Sequence, residues 1–383
     1  MNRMLTASGC YMFLANKLFG VNKRKVVFIS FGGKSYSDNP RAISEKLHEL
    51  HPEFEIVWLF NKPAEKRALV PGYVRCVAFD SRAALKELAT AKFWVDNATK
   101  ARSTYKSKKQ VYIQTWHGDR GFKKVLYDSP FVTNDDLLIE NEICDLYVAG
   151  SDSGERKART AFRYSGEVMK YGCPRNDLLV ENDRDKARAV RSQLQLEGKT
   201  RILLYAPTLR RAASKGRGLQ PLGEIDLLAT LQALENKTGE PWICLVRAHS
   251  SVLGLAGIPG SSAQIVDVTS YEDMGDLLLI SDFLITDYSA SAGDFALLNR
   301  PVILFQADRE DYIKKDRSFY FDLDESPFMI AKNQDDLVSL IAGLDMAGVP
   351  RNCKEILDFY GAVETGRASE KVVEYIQDKY LKS

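Results

Sequence analysis

Short apolar runs recur along the chain, separated by stretches in which apolar positions return every three or four residues. In the first half the runs fall at 26–31, 56–59, 74–77, 93–95, 111–114 and 146–149, and in the second at 201–205, 242–246, 283–286 and 302–305. Continuous runs of this kind read as strands covered on both faces. The helical patterns between them, such as 40–50 and 81–91, read as the crossovers that parallel strands require. Pro40 suits the first turn of its helix, where a backbone N–H has no intrahelical partner. The alternation predicts an α/β fold with two open parallel sheets. A charged helical pattern over 183–196 interrupts the series, so the division is expected between Arg175 and Gly198. One unit is expected over 1–180 and a second over 181–350, with 351–383 ending in a helix, 366–380, that packs back on the first. Open sheets of this type bind ligands beyond the carboxyl ends of their strands.

Composition narrows the picture modestly. The 383 residues, 45% of them hydrophobic, can fill two cores, and 53 basic against 51 acidic residues leave a net +2. That balance is not a polyanion trap, and no nucleic-acid partner is expected. Six cysteines stand singly, without a C-x-x-C pair or histidines at ligand spacing, so reduced thiols and no metal site are expected. The apolar stretch at 11–19 is interrupted by Asn16 and Lys17, too short and polar to span a bilayer, and no small-residue cleavage site follows; the chain is expected to stay in the cytoplasm. Lys23, Arg24 and Lys25 follow that stretch, and Lys100, Arg102, Lys106, Lys108 and Lys109 precede a later strand. Basic residues beside an apolar helix suit the anionic inner face of a membrane, at about 1 kcal/mol per charge. A solvated lysine-rich loop is the plainer alternative.

Candidate chemistry gathers at strand ends. The run 283–286 stops at Thr286-Asp287-Tyr288-Ser289-Ala290-Ser291 and leads, near Ala292, into a helix. Hydroxyls of Thr286, Ser289 and Ser291, with unpaired N–H groups of a first helical turn, can cradle a phosphate. Asp287 and Asp294 fit capping and orienting roles, since carboxylates repel phosphate. His117 follows Trp116 at the end of 111–114, where an imidazole can take a proton from an attacking hydroxyl; the alternative is a packed, satisfied side chain. His249, in Arg247-Ala248-His249-Ser250 after 242–246, can stabilise charge on a phosphate together with Arg247, or can make an interdomain hydrogen bond. Arg210 follows Tyr205-Ala206-Pro207-Thr208-Leu209, and Arg317 opens an aromatic loop, Arg317-Ser318-Phe319-Tyr320-Phe321-Asp322. Either guanidinium can grip a diphosphate, or simply sit on the surface.

Six segments, taken in order, resemble the CDP-glycerol glycerophosphotransferase family, whose members build teichoic acids and related glycerol-phosphate capsules. They are Lys34-Ser35-Tyr36-Ser37-Asp38-Asn39-Pro40, Gln114-Thr115-Trp116-His117-Gly118, Gly172-Cys173-Pro174-Arg175-Asn176-Asp177, Tyr205-Ala206-Pro207-Thr208, Ile285-Thr286-Asp287-Tyr288-Ser289 and Gly366-Arg367-Ala368-Ser369-Glu370. The resemblance spans nearly the whole chain. It implies a GT-B-like fold, two Rossmann-type domains facing across a cleft, with CDP-glycerol or another CDP-polyol in the C-terminal domain. The acceptor, a lipid-linked saccharide or polyol phosphate at the inner membrane surface, would meet the N-terminal domain. His117 would be the base for the acceptor hydroxyl, with His249, the 286–289 turn and Arg317 around the donor's diphosphate. The implied reaction is attack on the β-phosphorus with release of CMP, with no cofactor besides the donor. The family pattern usually has a second serine where this chain has Ala290, and Thr-Pro where it has Asp119-Arg120. Glycerol or ribitol as the polyol, one addition or polymerisation, wall or capsule as destination, and assembly into a homo-oligomer all stay open. Two competing readings are a GT-B glycosyltransferase using a nucleotide sugar and an inactive membrane-surface binder.

Overall fold

A computed structural model describes residues 6–101, 104–130, 139–196, 198, 200–208, 225–248, 263–315 and 318–382. Two all-parallel sheets organise them. The first contains β1 (Asn22–Ile29), β2 (Glu55–Phe60), β3 (Arg75–Ala78), β4 (Ala91–Asp96), β5 (Val111–Gln114), β6 (Leu146–Ala149) and β7 (Glu167–Lys170), in the order β3-β2-β1-β4-β5-β6-β7. The second contains β8 (Arg201–Ala206), β9 (Trp242–Val246), β10 (Ile265–Asp267), β11 (Phe283–Thr286), β12 (Val302–Phe305) and β13 (Met329–Ala331), in the order β10-β9-β8-β11-β12-β13. In each sheet the order reverses beside the first strand, between β1 and β4 and between β8 and β11. Such a reversal opens a crevice at the carboxyl ends of the strands.

The pleat of β1 shows why helices cover both faces of the first sheet. Val26 and Phe28 join Trp58, Phe60 and Phe93 on one side, against Ile43 and Leu47 of the helix Asp38–Leu50. Val27 and Ile29 join Val57, Leu59 and Trp94 on the other, against Met12 and Ala15 of the helix Ala7–Phe19. Successive side chains point to opposite faces, so a fully apolar strand needs two covers. The apolar run at 26–31 outlasts its strand: β1 ends at Ile29, and Phe31, Gly32 and Gly33 turn through left-handed backbone (φ 48°, 63° and 81°). Gly33 also lacks room, since a Cβ there would stand 3.1 Å from the backbone nitrogen of Asn61.

The chain ends by returning. The helix Val349–Tyr360 buries Cys353, Ile356 and Tyr360 in the core of the second sheet. The helix Ala368–Leu381 buries Val372, Val373 and Ile376 in the core of the first. A second crossing runs the other way: Phe122, from the first half, lies fully buried in the second core against Phe321 and Phe328. Its loop is stitched there by Lys124 N–H to the Ser318 carbonyl (2.9 Å) and Tyr320 N–H to the Phe122 carbonyl (2.9 Å). The two Rossmann-type domains thus face each other across a cleft in a GT-B-like arrangement. Among the described residues no helix is long and apolar enough to cross a membrane.

Candidate active site

The cleft between the sheets encloses about 1080 Å³. His117, Asp38 and Arg175 line it from the first half, and Arg247, Ser289, Ser291 and Asp294 from the second. Five of the ten residues singled out by sequence therefore meet here: His117, Arg247, Ser289, Ser291 and Asp294. Arg210, His249 and Arg317 lie outside the described residues.

His117 stands just past β5, and its placement is dictated by backbone carbonyls rather than by a carboxylate. Its Nδ1 lies 2.7 Å from the carbonyl oxygen of Asn97, at the end of β4. A carbonyl only accepts, so Nδ1 carries the proton in the neutral ring and Nε2 keeps its lone pair. Phe31 and Trp116 flank the ring at centroid distances of 5.1 and 4.1 Å. One edge meets the solvent of the cleft, yet protein surrounds the imidazole closely enough that burial lowers its pKa, against the opposing pull of the Asn97 carbonyl and the Asp38 carboxylate. A neutral imidazole with a free Nε2 is the form a general base requires.

The loop that carries it is strained and clamped. Trp116 takes a left-handed backbone (φ 46°), which a bulky residue rarely adopts without support. Asn39 supplies that support, donating from Nδ2 to the carbonyls of Trp116 (2.9 Å) and Thr115 (3.2 Å). Asn97 is held in turn: its Oδ1 accepts from Phe31 N–H (2.8 Å), and its Nδ2 reaches Ser30 Oγ (3.2 Å) and Asp38 Oδ1 (3.1 Å).

Across the cleft, the turn after β11 divides its residues between support and display. Ser289 and Ser291 face the cleft and share a hydroxyl hydrogen bond of 2.9 Å. Thr286, expected to offer its hydroxyl to a phosphate, is fully buried and donates to the Ala206 carbonyl (2.6 Å), because a strand's last side chain points to a sheet face instead of beyond its end. Asp287 braces the neighbouring loop, accepting from Thr208 N–H (3.0 Å) and Tyr288 N–H (2.5 Å). Arg247 is half-buried in the cleft: its Nη2 donates to the Glu272 carbonyl at 3.4 Å, its Nη1 has no hydrogen-bond partner among the described residues, and burial depresses its pKa against the pull of Asp273 and Glu272. A guanidinium with one nitrogen unpaired among the described residues, lining the same cleft as two serines, can take an anion.

Asp294 is fully engaged. Arg175 donates to its Oδ2 from Nε (3.1 Å) and Nη2 (3.0 Å), while Arg120 Nη2 (2.5 Å) and Asn176 Nδ2 (3.2 Å) reach its Oδ1. Arg120 also pairs with Glu364 at 2.6 Å. Burial alone would raise the Asp294 pKa, but the two guanidiniums outweigh it and hold the carboxyl below its ordinary value. Among the described residues no group of three or more potential ligands could hold a metal ion.

Asn39, Asn97 and the bridging role of Arg175 escaped the sequence reading. Asn39 and Arg175 sat inside segments noted for their resemblance, but Asn97 carried no signal beyond its place at a strand end.

The family described as CDP-Glycerol:Poly(glycerophosphate) glycerophosphotransferase matches residues 10–378. A teichoic acid poly(glycerol phosphate) polymerase of Bacillus subtilis (strain 168) is 31% identical over 97% of this chain, which spans 51% of that relative's length. A teichoic acid glycerol-phosphate transferase of Staphylococcus aureus (strain NCTC 8325 / PS 47) is 31% identical over 93% of each chain. Among solved structures, the wall teichoic acid polymerase TagF superposes with a TM-score of 0.84 at 29% identity, covering 98% of this chain and 94% of that one. A histidine-to-asparagine variant of TagF soaked with CDPG gives a TM-score of 0.83 at 27% identity, with the same coverage of 98% and 94%.

Proposed function

Since the chain belongs to the CDP-glycerol:poly(glycerophosphate) glycerophosphotransferase family, we propose that it moves glycerol phosphate from CDP-glycerol to a hydroxyl of a lipid-linked or polymer acceptor in teichoic-acid-type synthesis. The observation that carries this reading is one cleft lined on one side by a neutral imidazole with its Nε2 unprotonated, and on the other by two serines and an arginine whose Nη1 is unpaired among the described residues. In the proposed reaction His117 Nε2 takes the proton of the acceptor hydroxyl as its oxygen attacks the β-phosphorus. The bond from that phosphorus to the bridging oxygen breaks, and CMP leaves with the electron pair. Arg247, Ser289 and Ser291 hold the phosphoryl oxygens whose charge grows in the transition state. The reading also assigns to the donor His249, Arg210 and Arg317, which lie outside the described residues.

The acceptor side faces a membrane in this reading. Leu14 and Leu18, exposed at 64% and 77%, lie away from the buried Gly9, Met12 and Ala15 of their helix, and Phe19 at its end is exposed at 56%, with Lys17 beside them and Lys23 and Arg24 close behind. That combination suits a peripheral position on an anionic leaflet.

The test is CMP release by purified protein given CDP-glycerol and a lipid-linked acceptor. His117→Ala is expected to lower kcat by about 10²–10⁴-fold while the KM for CDP-glycerol changes little. Undiminished turnover in that variant removes His117 from the mechanism. Thermal stabilisation by UDP-sugars but not by cytidine nucleotides would instead favour a glycosyltransferase.

A further inference from the structure

The two sides of the cleft are wired together through one residue. Arg175 lies in the 3-10 turn Pro174–Asn176, where the chain leaves the first sheet. Its guanidinium grips Asp294, three residues past Ser291, and also reaches Asp38 Oδ2 at 3.4 Å. Its backbone N–H donates to Asn39 Oδ1 at 3.0 Å. Asn39 clamps the carbonyls on either side of the Thr115–Trp116 junction, and Asp38 accepts from Asn97, whose own carbonyl anchors His117. We infer that Arg175 and Asn39 are positioning residues that fix the imidazole of His117 relative to the serine turn, so that Asp294 serves as the second domain's anchor for the base and not as a donor ligand. The inference rests on the transferase reading for its kinetic consequence.

The arrangement explains two otherwise separate facts. The strained Trp116 peptide persists because a clamp over-determines it. A carboxylate lines a cleft proposed for a diphosphate because two guanidiniums already neutralise it. Misplacing a base by about 1 Å can cost on the order of 10²-fold in rate, so loss of the clamp should fall on kcat. Lysine offers a point charge where arginine offers a planar fork, so it can hold only part of this bridge.

The charged groups facing His117 are Asp38 from the helix Asp38–Leu50, Asp96 from β4 and Arg175 from its turn; the two carboxylates raise its pKa and the guanidinium lowers it. Arg175→Gln should therefore move the titration of His117 to higher pH, whereas Asn39→Ala, which removes no charge, should leave it in place. Both are expected to lower kcat by about 10²-fold with the KM for CDP-glycerol within about twofold of wild type, and Arg175→Lys to recover part of the loss. The titration is read independently from the ring protons of His117 by NMR, which reports whether or not the protein turns over CDP-glycerol. If the wild type releases no CMP, the transferase reading fails while an upward NMR shift in Arg175→Gln still upholds the bridge. A rise in KM with kcat preserved would make Arg175 a donor ligand and overturn the inference. An unmoved His117 titration in Arg175→Gln would overturn it as well, as would kcat losses in all three variants that merely track falling Tm.

Discussion

A histidine at a strand end is a weak sign, and its surroundings give it meaning. The ring of His117 is oriented by a main-chain oxygen, which cannot take the proton from Nδ1, so the tautomer is set without a carboxylate partner. Because burial lowers its pKa, the ring stays neutral to a lower pH than an ordinary histidine at about 6.5. The acid limb of kcat/KM against pH, which reports the unliganded enzyme, should accordingly have its midpoint below that value, measured as CMP release at limiting donor. A midpoint at or above it would mean that the titrating group is not this imidazole. His117 itself was legible from Trp116, Gly118 and the preceding apolar run. The asparagines that hold it were not, since the bond from Arg175 to Asn39 joins residues 136 positions apart and the segments that contain them give no sign of pairing. Thr286 shows the converse: a hydroxyl in a promising stretch turned into the sheet, because which face a strand's final side chain takes depends on register, not on composition.

At the scale of elements, every central strand was found in sequence, and of the four edge strands only β3, under the run at 74–77. The runs at 111–114, 146–149, 242–246, 283–286 and 302–305 coincide with β5, β6, β9, β11 and β12. The three strands that the sequence runs missed, β7, β10 and β13, all lie at sheet edges. β7 reads Glu-Val-Met-Lys and is exposed at both ends, β10 is three residues long, and β13 is buried only at Ala331. Edge strands have a neighbour on one side only and are kept short or charged, so hydrophobic patterning fades where pairing does. The helix Ala7–Phe19 carries its own prediction. Leu14 and Leu18 stand one turn apart on the face opposite Met12 and Ala15. Replacing Leu18 and Phe19 together by Gln should weaken binding to vesicles containing anionic lipid by about tenfold or more, since each side chain contributes roughly 1.5–3 kcal/mol when fully buried. The residual binding should fall with added salt, as Lys17, Lys23 and Arg24 are screened. Co-sedimentation unchanged by the double substitution would place the membrane contact elsewhere.

At the scale of the whole molecule, the domains are joined by buried charge as well as by chain. Arg120, with no solvent exposure, binds Asp294 of the second domain and Glu364 of the segment returning to the first. Removing Arg120 leaves Glu364 with only neutral donors, Asn176 and the Cys173 N–H, while Asp294 keeps Arg175, so the cost of a buried charge without its cation, about 3–5 kcal/mol, falls mainly on Glu364. Arg120→Leu should lose that much stability in urea unfolding, and a loss under about 1 kcal/mol would show that the cluster contributes little. The sequence displayed Asp119-Arg120 only as a departure from the family pattern, because a buried ion network has no local signature. The seat of Phe122 in the second core has a mechanical consequence of its own. His117 is fastened to the first domain at Asn97, and five residues later the chain is fastened to the second. Five residues stretch to about 17 Å at most, so this leash caps how wide the jaws can swing. Any acceptor that reached His117 would have to pass through a gap whose width this tether limits.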